Sequence, residues 1–322
     1  MKLVILGNGI SCQLFLSYLQ LNSQFSHTNW DIFVLEKNVE NIEIIDDVPF
    51  YFNNVIEELG DIFEPITVEM GIYDNNKIYY EGSDLLSRKY SEKILGVQSK
   101  NTITNLQKSK QAYIVKKDNK TKGRKMALYS LLYNNNDKYH YIYNFEVIKI
   151  DTVNKILFSS NNEQINYDFL ISTIPLNNLM SVTGLNMVDL ITVPFYIHRV
   201  QIEEDNIYKV LYCTDEAIRF SRMAKLNDVI YLETRNELTL EKLNDIENEF
   251  CSIFFDKNCI KSYKCYLNYP GRFSQLDDKV YYKIVDEFLT RNIFLLGRMA
   301  NWRFKLVENI FEDCKEIYQC LI

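Results

Sequence analysis

Two glycines one residue apart, placed between a strand and a helix, form a turn that can cradle a phosphate. The chain carries such a pair at its beginning, in G-N-G-I-S-C at 7–12. This is G-x-G-x-x-G with Cys12 in the third place. Gly7 permits the tight turn, and Gly9 removes a side chain so that a pyrophosphate can approach the backbone. The helix beginning there offers N–H groups and the positive end of its dipole. The third position sets how closely helix and strand pack, and a small cysteine serves that purpose. Glu36 closes the next apolar run, where a carboxylate accepts hydrogen bonds from the hydroxyls of an adenosine ribose and so favours an unphosphorylated ribose. Metal chemistry is not expected: the seven cysteines include no C-x-x-C, and His27, His140 and His198 lie far apart in the chain.

The elements around these residues follow from hydrophobic spacing. Residues 3–6, L-V-I-L, read as a parallel strand buried on both faces. Residues 10–21 carry a helical apolar stripe, and 31–35, D-I-F-V-L, read as the second strand. Strand, glycine turn, helix, strand and acid make one βαβ unit with a right-handed crossover. Further along, the spacing predicts helix over 53–64, and short strands within 66–80 about the turn Asp74-Asn75-Asn76. It also predicts helix over 126–133, strands at 145–150, 155–158 and 167–174, strands through 196–235, and helix over 237–255. Residues 293–296 read as a buried strand and about 306–321 as a terminal helix.

With 47% hydrophobic and 14% aromatic residues, the 322-residue chain can bury a sizeable core, which excludes a disordered protein. The net charge of −7 gives no general affinity for nucleic acid. Residues 98–125 are the local exception: nine basic side chains stand against one acid, Asp118. This stretch reads either as a solvated face or as an electropositive rim able to contact DNA or a phosphorylated substrate. The short apolar run at the N-terminus is no signal peptide, and no uncharged apolar stretch is long enough for a membrane span. A cytoplasmic protein with reduced thiols is expected.

Two further segments carry a family likeness. Residues 167–176, Y-D-F-L-I-S-T-I-P-L, and 294–302, F-L-L-G-R-M-A-N-W, resemble the UDP-galactopyranose mutase and flavin amine oxidase group. The order of landmarks agrees as well: K-G-R-K-M, E-V-I-K-I, S-T-I-P, F-S-R at 220–222, N-Y-P at 268–270, then G-R. The likeness is specific at both ends of the chain and loose between about 40 and 120. It implies an α/β fold with a Rossmann-like FAD-binding domain of the glutathione reductase type and a mixed α+β substrate domain. The FAD-binding domain would comprise 1–60, 130–185 and 285–322, and the substrate or cap domain 61–129 and 186–284. By position, the resemblance puts Gly7, Gly9, Ser11 and Cys12 at the pyrophosphate and Glu36, with Lys37 beside it, at the ribose. Val147 falls where backbone meets adenine, and Thr173 near the flavin. Gly297 and Arg298 approach the pyrophosphate and ribityl chain, while Glu308 and Asn309 open the last helix at the flavin carbonyl edge.

The resemblance also supplies candidates at the substrate. Arg222 matches a family arginine facing flavin and substrate, and Tyr266 and Tyr269 lie on a segment that lines the same cavity. The guanidinium fork suits a phosphate or carboxylate, and tyrosine offers a flat apolar face with one hydroxyl. The implied activity is FAD-dependent oxidation, or isomerisation without net redox, of a polar, phosphate-bearing small molecule or nucleotide-bearing substrate. Two alternatives are a bacteriophage-type flavoenzyme that remodels amino-acid-modified thymidine in DNA and a non-catalytic FAD-binding scaffold. Three departures from the family pattern bear on the assignment. The paired glycines after the second-strand acid are absent, those near 122–124 are reduced to Gly123, and the aspartate of the final helix is Glu308.

Overall fold

The computed structural model describes residues 1–22, 30–38, 53–59, 63–96, 102–115, 139–185, 188–201, 208–226, 229–237 and 262–322. The βαβ unit is present: β1 (Lys2–Leu6), α1 (Ile10–Leu21) and β2 (Asp31–Leu35). β1 buries Leu3, Val4, Ile5 and Leu6, as a strand covered on both faces must. It is flanked by β2 on one side and β10 (Phe169–Ser172) on the other. With β6 (His140–Ile142) and β16 (Ile293–Leu295), these form a five-stranded, wholly parallel sheet in the order β16-β10-β1-β2-β6. The Asp168 of the Y-D pair fixes its start: Asp168 Oδ2 accepts from the Lys2 N–H at 2.7 Å, and the Asp168 N–H donates to the Lys2 carbonyl.

One face of this sheet is covered by α1 and the last helix, α6 (Val307–Leu321). Cys12, Phe15, Leu19, Ile310, Phe311 and Cys314 pack there, with Tyr18 edge-on to Phe311 and Tyr318. The other face is covered by α3 (Leu176–Thr183) and α4 (Asp278–Leu289), whose apolar residues meet around Phe273 and Trp302. A small antiparallel sheet of β7 (Val147–Asp151), β8 (Ile156–Ser159) and β9 (Gln164–Asn166) stands beside it.

The remaining strands build one eight-stranded mixed sheet. Its order is β15 (Ser262–Phe273), β11 (Thr192–Gln201), β14 (Val229–Thr234), β13 (Phe220–Leu226), β12 (Tyr208–Cys213), β3 (Phe63–Asp74), β4 (Lys77–Tyr79), with β5 (Ser109–Val115) also paired to β3. α2 (Asp84–Leu95) lies across it through Leu86, Tyr90 and Ile94. The architecture is the expected one: a parallel Rossmann-like sheet joined to a mixed sheet. Two local expectations differ. The predicted helix over 53–64 is a single 3-10 turn at Glu57–Leu59, and β3 has begun by Phe63. In place of short strands before the Asn75-Asn76 turn there is one twelve-residue strand, which gains pairing from β4, β5 and β12. The predicted helices at 126–133 and, beyond Glu237, at 238–255 lie outside the described residues.

Candidate functional site

The glycine turn joins the ends of β1, β2 and β10. The Gly7 N–H donates to the Leu35 carbonyl at 2.8 Å, and Gly7 takes a φ of 93°, which disfavours any residue with a Cβ. A Cβ there would also lie 2.7 Å from Thr173 Oγ1. Gly9 is different. Its φ of −81° suits any residue, and a Cβ built on it meets nothing within 4 Å. Glycine at position 9 therefore keeps space open in front of α1. That helix has neither a side-chain cap nor an acid in its first turn, which leaves its N-terminal end suited to an anion.

Gly297 closes the site from the other end of the chain. Its φ is 95°, and a Cβ there would lie 2.0 Å from Ser11 Oγ. The G-R turn thus packs directly on the first turn of α1, bringing Ser11 and Gly297 together. α5 (Arg298–Asn301) follows, and its last residue holds the turn in place. Asn301 Nδ2 donates to the carbonyls of Leu295 and Gly297, and Asn301 Oδ1 accepts from the Tyr281 hydroxyl at 2.9 Å. Sequence reasoning missed Asn301; its signal was an asparagine inside an apolar G-R-M-A-N-W segment.

Glu36 faces the same turn. Its Oε2 accepts from the Asn8 N–H at 2.9 Å and its Oε1 from the Asn38 N–H at 3.1 Å. Its backbone also ties β6 and the residues before β7 to the turn, through Ile142 and Phe145. Val147, at the start of β7, sits two residues beyond that tie, and Lys37 is exposed beside Glu36. Thr173 points into the turn itself: its hydroxyl faces the carbonyls of Leu6 and Gly7, at 2.9 and 3.1 Å. Glu308 is likewise engaged by the protein, with Oε1 accepting from the N–H groups of Asn53 and Asn54. Asn309 Oδ1 caps α6 by accepting from the Leu306 N–H. Of the basic stretch, Lys110 binds Asn53 Oδ1 and Lys108 lies over the Tyr80 ring. Lys100, Lys116, Lys117, Lys120, Lys122, Arg124 and Lys125 lie outside the described residues.

Two further guanidinium groups gather near Arg298. Arg222 on β13 stands opposite Glu233 on β14 and bonds its Oε1 through Nη2. Arg272, near the end of β15, meets the other oxygen of the same carboxylate. Arg298 lies between Phe273 and Phe304, with its guanidinium carbon 5.1 Å from each ring centre. Burial pushes Arg298 down to about 9, and the positive charges of Arg272 and Arg222 push in the same direction. Arg272 is lowered by the same kind of burial, with Arg222 adding repulsion and Tyr90 opposing it. Neither Arg222 Nε nor Arg298 Nε has a hydrogen-bond partner among the described residues. Two arginines sharing one carboxylate, with the Arg298 guanidinium close enough to feel both, leave net positive charge in a largely buried place and make a site for an anion. Arg222, expected at the substrate, and Arg298, expected at the pyrophosphate and ribityl chain, are thus brought together. Glu233, the acid of an otherwise apolar strand, was missed. Tyr266 and Tyr269 lie on β15, and their side chains fall outside the described part.

A cleft of about 330 Å³ at the rim of the large sheet is lined by Lys93, Arg219, Thr234 and neighbours, and by none of the expected site residues. Among the described residues no cluster of His, Cys, Asp and Glu could hold a metal, and no helix is long and apolar enough to cross a membrane.

Fold and site together define an α/β protein with a parallel sheet and a large mixed sheet, in which the glycine turn after β1 is closed by the C-terminal segment. Solved structures with this architecture include a reduced UDP-galactopyranose mutase, at a TM-score of 0.73 and 15% identity, covering 99% of this chain and 93% of that one. An oxidoreductase from Methanosarcina mazei matches at 0.57 and 11%, covering 99% and 100%. MibH, a tryptophan 5-halogenase, matches at 0.55 and 9%, covering 100% and 66%. The likeness establishes the fold, which is the one its end segments led us to expect. No family model and no curated protein sequence matches the chain.

Proposed function

We propose that the chain is an FAD-dependent enzyme that oxidises, or isomerises without net redox, a polar substrate carrying a phosphate. The observation that carries this reading is the pairing of two features. An open cradle at Gly9 and α1 is closed by Gly297, and beside it an arginine cluster holds more positive than negative charge. The likeness to a UDP-galactopyranose mutase and an oxidoreductase supports the redox or mutase class. In this reading the FAD-binding domain comprises 1–60, 130–185 and 285–322, and 61–129 with 186–284 forms the substrate domain.

The residues present fit the cofactor. Gly9 leaves room for a pyrophosphate, the uncapped first turn of α1 offers N–H groups to it, and each Glu36 oxygen retains acceptor capacity for a ribose hydroxyl. When bound, FAD supplies the electron-pair chemistry, which is why no nucleophile–base–acid constellation is needed. The protein's own work is binding and orientation. Arg222, Arg272 and Arg298 would hold the substrate's anionic group, with Phe195 covering the flat face of Arg272 and Phe273 and Phe304 those of Arg298.

The test begins with the purified protein. A yellow protein that releases FAD on denaturation is expected; a colourless one that takes up no added FAD overturns the reading. Bleaching by substrate without reductant then marks an oxidase, and turnover only after dithionite reduction marks an isomerase.

A further inference from the structure

The carboxylate within the arginine cluster carries more information than the arginines themselves. Glu233 is 4% exposed, yet its oxygens meet Arg222 and Arg272, which come from two different strands. Arg222 is its direct cross-strand partner, and the Arg272 guanidinium is backed by the Phe195 ring at 4.9 Å. No other carboxylate among the described residues pairs with Arg222, Arg272 or Arg298. A glutamine would have the same reach, but its amide oxygen could accept from only one of the two arginines while its NH2 faced the other, so only a carboxylate accepts from both. The carboxylate also provides a negative charge inside the cluster.

We propose that Glu233 is a specificity-determining residue. By neutralising part of the Arg222–Arg272 pair it limits the charge the site accepts, so that a group with two negative charges is taken in preference to a more highly charged one. A phosphate monoester and a diphosphate diester both meet that description. The inference rests on the anion-site reading above and deepens it. Removing the carboxylate charge adds one positive charge to a site of low polarisability. Each further negative charge on a ligand then gains, by roughly tenfold at such separations.

The experiment titrates the intact, cofactor-loaded protein with sulfate and with inorganic pyrophosphate at constant ionic strength, by calorimetry. Wild type, Glu233→Gln and Glu233→Asp are compared, with melting temperature and flavin content as controls. The quantity read is the ratio of the two affinities, so that differences in ligand size cancel between variants. Expected is a ratio that moves at least tenfold towards pyrophosphate in Glu233→Gln and stays near the wild-type value in Glu233→Asp. If Glu233→Gln does not fold, Arg272→Gln gives the same test with opposite sign, and its ratio must move towards sulfate. A folded Glu233→Gln, or failing that Arg272→Gln, whose ratio stays within about twofold of wild type or moves the wrong way overturns the role of Glu233 while leaving the anion site standing. A wild type that binds neither anion overturns the anion-site reading itself.

Discussion

Gly9→Val separates what the fold needs from what the ligand needs. At position 9 the backbone is ordinary, with φ −81° and ψ −175°, and a Cβ meets nothing within 4 Å. The protein therefore has room for a side chain and pays little for one. Valine in place of glycine at a helix N-cap costs about 1 kcal/mol. The branched side chain would, however, stand in the space kept open in front of α1. A pyrophosphate pushed away loses at least two charge-assisted hydrogen bonds of about 1.5–3 kcal/mol each, or roughly a hundredfold to ten-thousandfold in affinity. The assay is the flavin-to-protein ratio of the purified variant, set beside its melting curve with excess FAD and without. Expected is a folded protein with little or no flavin, whose melting temperature no longer rises with added FAD. A full complement of FAD in Gly9→Val would refute the placement of the cofactor at this turn. A protein that fails to fold would refute the claim that position 9 is structurally permissive.

Gly297→Ala should behave in the opposite way. At φ 95° and with its Cβ 2.0 Å from Ser11 Oγ, it loses about 1–3 kcal/mol to backbone strain before the clash is counted, and melting curves with and without FAD should both fall. Glu36→Ala should weaken FAD by about ten- to a hundredfold but FMN hardly at all, since FMN lacks the adenosine ribose; equal losses in titrations of the two flavins would remove Glu36 from that role. Arg222→Lys keeps the charge but loses the fork that engages Glu233 and leaves Nε for a ligand, so kcat/KM should fall by about tenfold or more with flavin content unchanged; steady-state kinetics at full flavin loading decide it. His198, wholly buried against Thr234 Oγ1, is pushed down to about 4 by burial, whereas the unfolded chain takes its proton near 6.5. Its contribution is therefore complete above about pH 6.5 and lost as pH falls towards 4, by roughly 3 kcal/mol. Denaturant titrations across that range should show the slope, and His198→Gln should remove that part of it.

The two ends of the chain were legible because their signals are local and covalently spaced. L-V-I-L, G-N-G and E at 36 are fixed relative to one another by one strand, one turn and one crossover, so period and punctuation suffice to place them. The contact between Ser11 and Gly297 spans nearly the whole chain. It was legible only because the G-R segment resembles a family in which the last strand returns to the first helix. Where a residue's role depends on a partner with no fixed spacing, the sequence was silent. Glu308 Oε1 and the Thr173 hydroxyl are engaged by Asn53 and Asn54 and by Leu6 and Gly7. A carboxylate or hydroxyl takes whichever donor or acceptor the tertiary structure brings nearest, and no spacing rule records which one that is. Glu233 shows the same limit from the other side. In V-I-Y-L-E-T all six residues are buried, so alternation gave no sign of which face mattered. Its meaning comes from Arg222, eleven residues earlier, and Arg272, on a strand that is not its neighbour. A buried charge is costly unless paired, and here the pairing comes from two strands that the sequence does not place beside each other.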